Sequence, residues 1–450
     1  MSPGLPTLES LADALRRGTT SAEALLDAAL ARIDDPAGQG KPTFTKVHRA
    51  AARATAVAAD GLRAAGVVPS PLAGLPISVK DLFDVAGEPT PAGSVALADA
   101  PPASSDAPIV ARLRAAGAVI VGRTNMTEFA FSGVGWNPHY GTPLNPWDRA
   151  TGRIPGGSSS GAAVSVTDGM CAAAIGTDTG GSVRIPAALC GLAGFKPTAR
   201  RVPREGCLPL SFSLDSIGPL APTVACCALV DAVLAGEAPS VPVAPPAAGL
   251  RLLAPLNFVL DDIDATVGQA FERALTRLGA AGVRIATGRL APLDELFEIN
   301  AKGGLAAAEA FHWHRTLLAA KAAVYDPRVR VRVERGGTMG AADYLEVLRR
   351  RVDFHARMGA LMAPYDALVM PTTPIVAATM AEIADDAGFG RINVQVLRNP
   401  TVANFLDGCA LTVPCHAPGS APVGLMLVGP PLADRRLLAL GRAIEGVLQP

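Results

Sequence analysis

Gly176-Thr177-Asp178-Thr179-Gly180-Gly181-Ser182-Val183-Arg184-Ile185-Pro186 is the stretch on which the reading of this chain turns. Two glycines ahead of a serine free the backbone to aim its N–H groups at a ligand oxygen, which is how an oxyanion hole is made. A second Gly/Ser loop, Arg153-Ile154-Pro155-Gly156-Gly157-Ser158-Ser159-Ser160-Gly161, lies upstream and places Ser158 24 residues before Ser182. By itself such a loop is either a flexible turn or a phosphate cradle. No G-K-[ST] follows it and its spacing is not G-x-G-x-x-G, so the phosphate reading is weak. The elbow G-x-S-x-G is absent and no histidine lies near either serine, so a Ser-His-Asp triad is unsupported. What remains is a pair of serines served by a lysine.

Working outward, Leu75-Pro76-Ile77-Ser78-Val79-Lys80 reads as an apolar strand that ends in a lysine. A lysine there usually snorkels to solvent. The alternative is an amine held in a dry pocket, where desolvation favours the neutral form and makes it a base. A second strand, Ala118–Val121, follows the helix Ile109–Ala116. Strand, helix and strand in succession predict an α/β fold, a mixed sheet with helices on both faces. Before residue 70 the pattern is helical: Leu8, Leu11 and Leu15 recur at helical spacing. Thr20 or Ser21 caps a second helix, and Phe44–Ala65 reads as a third. Thr223–Ala235, broken by Asp231, reads as a core helix. The Pro-rich Pro239–Pro246 reads as a surface connection. Helices are expected at Ala265–Ala281, Leu305–Val324 and Ala342–Ala363. Ala410–Val413, Pro422–Val428 and Leu437–Leu448 close the chain with strands and a helix.

Of the 450 residues, 49% are hydrophobic, enough for a large core. Lys+Arg and Asp+Glu both number 40, which gives no electrostatic reason to expect a nucleic acid or an anionic membrane as partner. The opening residues lack a basic stretch followed by an apolar run, and no segment reaches the roughly 18 apolar residues that span a bilayer. A cytoplasmic, membrane-free protein is expected. Seven cysteines, an odd number with no C-x-x-C pair, fit reduced thiols better than a disulfide framework or a zinc site. His312 and His314, two apart on a helix, point apart and read as ordinary surface or interface residues.

Taken jointly, residues 75–219 resemble the amidase signature family. The matching pieces are Lys80-Asp81, Asn125-Met126-Thr127-Glu128-Phe129-Ala130, Gly156–Gly161 and Gly176–Arg184, with Cys190-Gly191, Lys196-Pro197-Thr198 and Ser213–Pro219. The closing segment, Asn404-Phe405, Ala410–Pro414, Pro422-Val423-Gly424 and Gly429-Pro430, is similar too. One departure is Ser160-Gly161 where the family often has Gly-Gly; a serine is tolerated there unless the backbone needs positive φ.

The resemblance implies a single domain over 1–450. It has N-terminal helices at 1–70, the signature core at 72–220 and a variable, substrate-facing region at 239–400. It implies that Ser182 is the nucleophile. Ser158, after a cis Gly157–Ser158 peptide, stands between it and a neutral Lys80. The N–H groups of Thr179, Gly180, Gly181 and Ser182 form the oxyanion hole, and Ser132 and Gly133 touch substrate. Asp178 and Arg184 brace the nucleophile loop, while Asp81 and Asp215 read as structural. No cofactor and no metal are expected. The substrate is a small amide, carbamate or ester, cleaved through an acyl-enzyme, and the protein is a monomer or homodimer. Trp136, Phe297, Phe311, Trp313 and Phe405 are candidates for an apolar or aryl-accepting pocket. The rival is the glutaminase-type component of a tRNA-dependent amidotransferase complex. That component usually has Gln where this chain has Ile185, and Tyr-Gly-Arg where it has Ala199-Arg200-Arg201.

Overall fold

The structure, a computed structural model, describes residues 4–449; residues 1–3, where the stretch read for a leader begins, and Pro450 lie outside it. Short apolar runs between Gly/Pro turns form the strands β1 (Phe44–Val47), β2 (Pro76–Lys80), β3 (Val119–Thr124), β4 (Ala173–Asp178), β5 (Ala193–Lys196), β6 (Ser216–Ala221), β7 (Arg251–Pro255), β8 (Arg284–Gly288), β9 (Ala367–Pro371), β10 (Cys409–Pro414) and β11 (Gly424–Gly429). They build one mixed sheet in the order β1-β3-β2-β4-β6-β5-β10-β11-β9-β7-β8. Every residue of β2, β3 and β4 is buried, because helices cover both faces of the sheet. This is the α/β architecture the sequence predicts.

The topology positions the site. β2 lies between β3 and β4 and is parallel to both. The carboxyl ends of β2 and β4 therefore emerge on one edge, where ligands bind in open α/β sheets. Lys80 is the last residue of β2 and Asp178 the last of β4. Helix Ser160–Thr167 begins just after Ser158, and helix Arg184–Cys190 just after Ser182. Both serines are thus carried on tight loops at helix starts. Ser160 takes no positive φ, so the departure from Gly-Gly costs nothing in the backbone.

The structure corrects one expectation of local structure and adds elements that were not expected. Phe44–Ala65 is not one helix: Phe44–Val47 pairs antiparallel with β3, the His48 N–H donates to the Val121 carbonyl at 2.7 Å, and the helix starts at Arg49. Phe44, Thr45 and Val47 suit a pleated surface, and an open sheet edge outcompetes the weak helical pattern. The later half of the chain adds β7, β8 and β9 at the far end of the sheet. It also holds two helices, Pro327–Gly336 and Asp386–Phe405. The second of these contains Pro400 within it, a residue that in sequence reads as a stop. Residues 238–246 carry no regular element, as expected of a connection. No helix among the described residues is long and apolar enough to cross a membrane, and all seven cysteines are free.

Candidate active site

Lys80 does not snorkel. It is fully buried, and its Nζ donates to Ser158 Oγ at 2.7 Å and to Thr177 Oγ1 at 2.9 Å. Desolvation, the largest influence, pulls its pKa down to about 7 against the weaker opposing pull of Cys207, Asp178 and Asp215. The Gly157–Ser158 peptide is cis. The Gly157 N–H donates to the Gly133 carbonyl at 2.8 Å, and the Ser158 carbonyl accepts from the Thr127 N–H at 3.0 Å. The Ser159 N–H reaches the Ser182 carbonyl at 3.3 Å, so the two serine loops are tied directly together. Sequence reasoning misses Thr177, because a threonine within a strand carries no signal of its own.

Asp178 organises the loop that carries Ser182. Its Oδ1 accepts from the Gly181 N–H at 2.8 Å, Arg184 Nη2 at 2.8 Å and Asn404 Nδ2 at 2.9 Å; its Oδ2 accepts from the Val183 N–H at 3.2 Å and Arg184 Nε at 3.0 Å. Burial alone would raise this carboxyl, but the Arg184 guanidinium outweighs it and holds Asp178 well below the usual carboxylate range. Arg184 also donates to the Pro400 carbonyl at 3.0 Å and to Asn404 Oδ1 at 2.6 Å. The loop is thereby fastened to helix Asp386–Phe405.

The four N–H groups expected to face a substrate oxygen are not equivalent in this arrangement. The Gly181 N–H is occupied by Asp178, whereas the N–H groups of Thr179, Gly180 and Ser182 have no acceptor among the described residues. Gly181 itself has φ of +123°, and a Cβ there would meet Pro400 Cβ at 2.5 Å and Ile185 Cδ1 at 2.8 Å. Glycine is therefore required at this position for both conformation and space. Thr179 Oγ1 donates to Asp215 Oδ1 at 2.5 Å, and Asp215 also accepts from the Leu210 and Ser211 N–H groups at 3.0 Å. Burial raises Asp215 to about 6. Asp81, by contrast, pairs with buried Arg123 at 2.8 Å and supports the Gly93 N–H.

A cavity of about 530 Å³ opens over Ser182, Thr179 and Gly180. Ser132 lines it, with its Oγ 3.0 Å from Asn393 Oδ1. Gly133 does not line it; its N–H donates to Asn393 Oδ1 at 2.9 Å, and its carbonyl holds Gly157. Asn393, which lines the cavity, belongs to no motif that sequence could single out. Of the five aromatic candidates, Phe297 and Phe405 line the cavity, joined by Phe131 and Phe258. Phe311 packs against Gly337, Trp313 lies 6.4 Å from Phe129, and Trp136 sits 5.9 Å from Arg328. His314 is also not a surface residue. It is buried, hydrogen-bonded to Tyr325 Oη at 2.9 Å and edge-on to Phe129.

A mixed sheet that sets a buried lysine on one glycine-preceded serine, and a second such serine in the wall of a cavity, defines an amidase-type hydrolase. Residues 24–438 match the sequence profile of the family described as Amidase. The chain belongs to this amidase signature family and is a hydrolase of non-peptide C–N bonds in small molecules. It is 41% identical to a 2-amino-5-chloromuconic acid deaminase of Comamonas testosteroni, over 89% of this chain and 87% of that one. It is 34% identical to the A-type component of the glutamyl-tRNA(Gln) amidotransferase of Chloroflexus aggregans, over 98% and 96%. A crystal structure of an amidase superposes with a TM-score of 0.89 at 35% identity, covering 98% of this chain and all of that one.

Proposed function

We propose that the chain hydrolyses a small amide or carbamate through an acyl-enzyme on Ser182, with Ser158 and Lys80 as the proton relay. The observation that carries this reading is the fully buried Lys80 amine, 2.7 Å from Ser158 Oγ and shifted to about 7. A neutral amine accepts a proton that a charged one cannot. Ser182 Oγ bonds to the carbonyl carbon as its proton passes to Ser158 Oγ and that of Ser158 passes to Lys80 Nζ. The N–H groups of Thr179, Gly180 and Ser182 hold the oxyanion. As the C–N bond breaks, Ser158 returns a proton to the leaving nitrogen and recovers one from Lys80. Water then attacks the acyl carbon and frees Ser182.

Carbamates fit the same sequence of steps, since only the atom flanking the carbonyl differs. The muconic acid in the relative's name is a small molecule, which supports a small substrate over a protein one. The cavity walls come largely from residues 258–405, in keeping with a variable specificity region at 239–400 of a single domain. A monomer or homodimer working in the cytoplasm is the proposed setting. The amidotransferase reading is disfavoured by Ile185, which is fully buried among Val134, Ile154 and Leu189; a glutaminase assay separates the two.

The test is covalent labelling with a fluorophosphonate, followed by peptide mapping. The expected adduct is on Ser182, and Ser182→Ala, Ser158→Ala and Lys80→Ala each lower kcat/KM by about 10³-fold or more while leaving a folded protein. Labelling elsewhere, or full turnover by Ser182→Ala, refutes the scheme.

A further inference from the structure

Three arginines, Arg332, Arg335 and Arg398, line the cavity over Ser182, and no Asp or Glu does. None of the three forms an ion pair among the described residues, although most other arginines that bond a side chain here face a carboxylate. Backbone carbonyls, a ring and a neutral amide hold them instead. Arg332 donates to the Arg328 carbonyl and lies 5.0 Å from the centre of the Phe389 ring. Arg335 donates to the Ala301 carbonyl at 2.5 Å. Arg398, 9% exposed, donates to the Asp261 carbonyl and to Asn399 Oδ1 at 3.3 Å. Desolvation lowers the pKa of both Arg332 and Arg398, against the weaker pull of Asp326 and Asp386 on the first and of Asp261 and Asp262 on the second.

For Arg332 and Arg398, a guanidinium kept charged in a partly dry cavity without a directly paired carboxylate is costly unless a ligand supplies the charge. Its planar fork matches a carboxylate, and such charge-assisted bonds are among the strongest in proteins. Arg398 follows Leu397, whose side chain approaches Gly180, on helix Asp386–Phe405, and it lines the same cavity as Gly180 and Ser182. Arg332 and Arg335, three apart on helix Pro327–Gly336, face the cavity together.

Resting on the reading of Ser182 as nucleophile, we propose that the substrate carries a free carboxylate away from its scissile C–N bond, and that Arg332 and Arg398, with Arg335, bind it. The site thereby selects small anionic amides over neutral aryl or alkyl ones.

The test compares pairs that share one scissile amide. Succinamate and glutaramate, each bearing a carboxylate, are set against the corresponding methyl esters, with ammonia release measured in the wild-type protein and in Ser182→Ala. Expected is a kcat/KM at least tenfold higher for the carboxylate of each pair. Arg332→Gln and Arg398→Gln should each cut that preference by about tenfold or more, mainly through KM. Arg330→Gln, on the same helix but 3.5 Å from Glu334, should keep it. Equal turnover of both members by the wild type overturns the carboxylate proposal and leaves the nucleophile standing. Ammonia release that survives Ser182→Ala overturns the nucleophile, and with it the reading on which the proposal rests.

Discussion

Lys80 is the residue whose chemistry depends most on its surroundings. Among the described residues no carboxylate lies within ion-pairing distance of it, and its two partners are hydroxyls. The pull of Cys207, Asp178 and Asp215 is too weak to offset the desolvation of an ammonium, and the neutral form gains. The sign for activity follows. In the proposed relay the base must be unprotonated, so kcat/KM should fall about tenfold per pH unit below pH 7 and level off above it; a flat profile from pH 5 to 8 contradicts this. Asp215 adds a second check. Its negative charge favours protonated Lys80, so Asp215→Asn should lower the pKa of Lys80 and move the acid limb toward lower pH. An unmoved or raised limb shows that the two groups do not communicate.

At the scale of elements, the loop between β4 and helix Arg184–Cys190 is held by one buried ion pair, Asp178–Arg184 at 2.8 Å. Replacing both partners is tolerable in principle, but removing one strands a buried charge. Arg184→Met should destabilise the fold by about 3–5 kcal/mol, read from denaturant unfolding. The loop's shape rests on Gly181. Gly181→Ala introduces a Cβ 2.5 Å from Pro400 at φ of +123°, which should lower turnover by about 100-fold or more while losing less stability than Arg184→Met. Comparable turnover in Gly181→Ala would mean that the loop tolerates rearrangement.

For the whole molecule, the question is how the later half of the chain reports to the signature core. Glu309, on helix Gly304–Lys321, accepts from Ser211 Oγ at 2.6 Å, the Ser213 N–H at 2.9 Å, Ser213 Oγ at 2.5 Å and Tyr344 Oη at 2.9 Å. The Ser211 N–H in turn supports Asp215, which receives Thr179. Removing Glu309 leaves four donors without an acceptor in a buried place. Glu309→Ala should speed amide hydrogen exchange across residues 209–215 and lower kcat more than it raises KM. Unchanged exchange there would show that the loop holds its shape by other means.

The α/β class, the sheet edge at Lys80 and both serine loops were legible in the sequence, because glycine-rich turns and apolar strand periods are local properties. Ser182 and Ser158 stood out for the same reason. The strand Phe44–Val47 was hidden because only the presence of β3 beside it decides between strand and helix. Helix Asp386–Phe405 was hidden because Pro400, a local stop, is overridden by packing. Lys80 is the sharpest case, since its sequence neighbourhood suits a snorkelling residue, and only burial beneath helices and loops distant in the chain pulls its pKa down to about 7. The occupation of the Gly181 N–H by Asp178, the contact of Thr177 with Lys80 and the convergence of Arg332, Arg335 and Arg398 on one cavity are likewise tertiary facts. Each joins groups far apart along the chain, or depends on a loop conformation, and neither is written in local spacing. The sequence determined which chemistry was available; the folded structure decided which groups are dry, which donors are free and what charge the cavity offers a substrate.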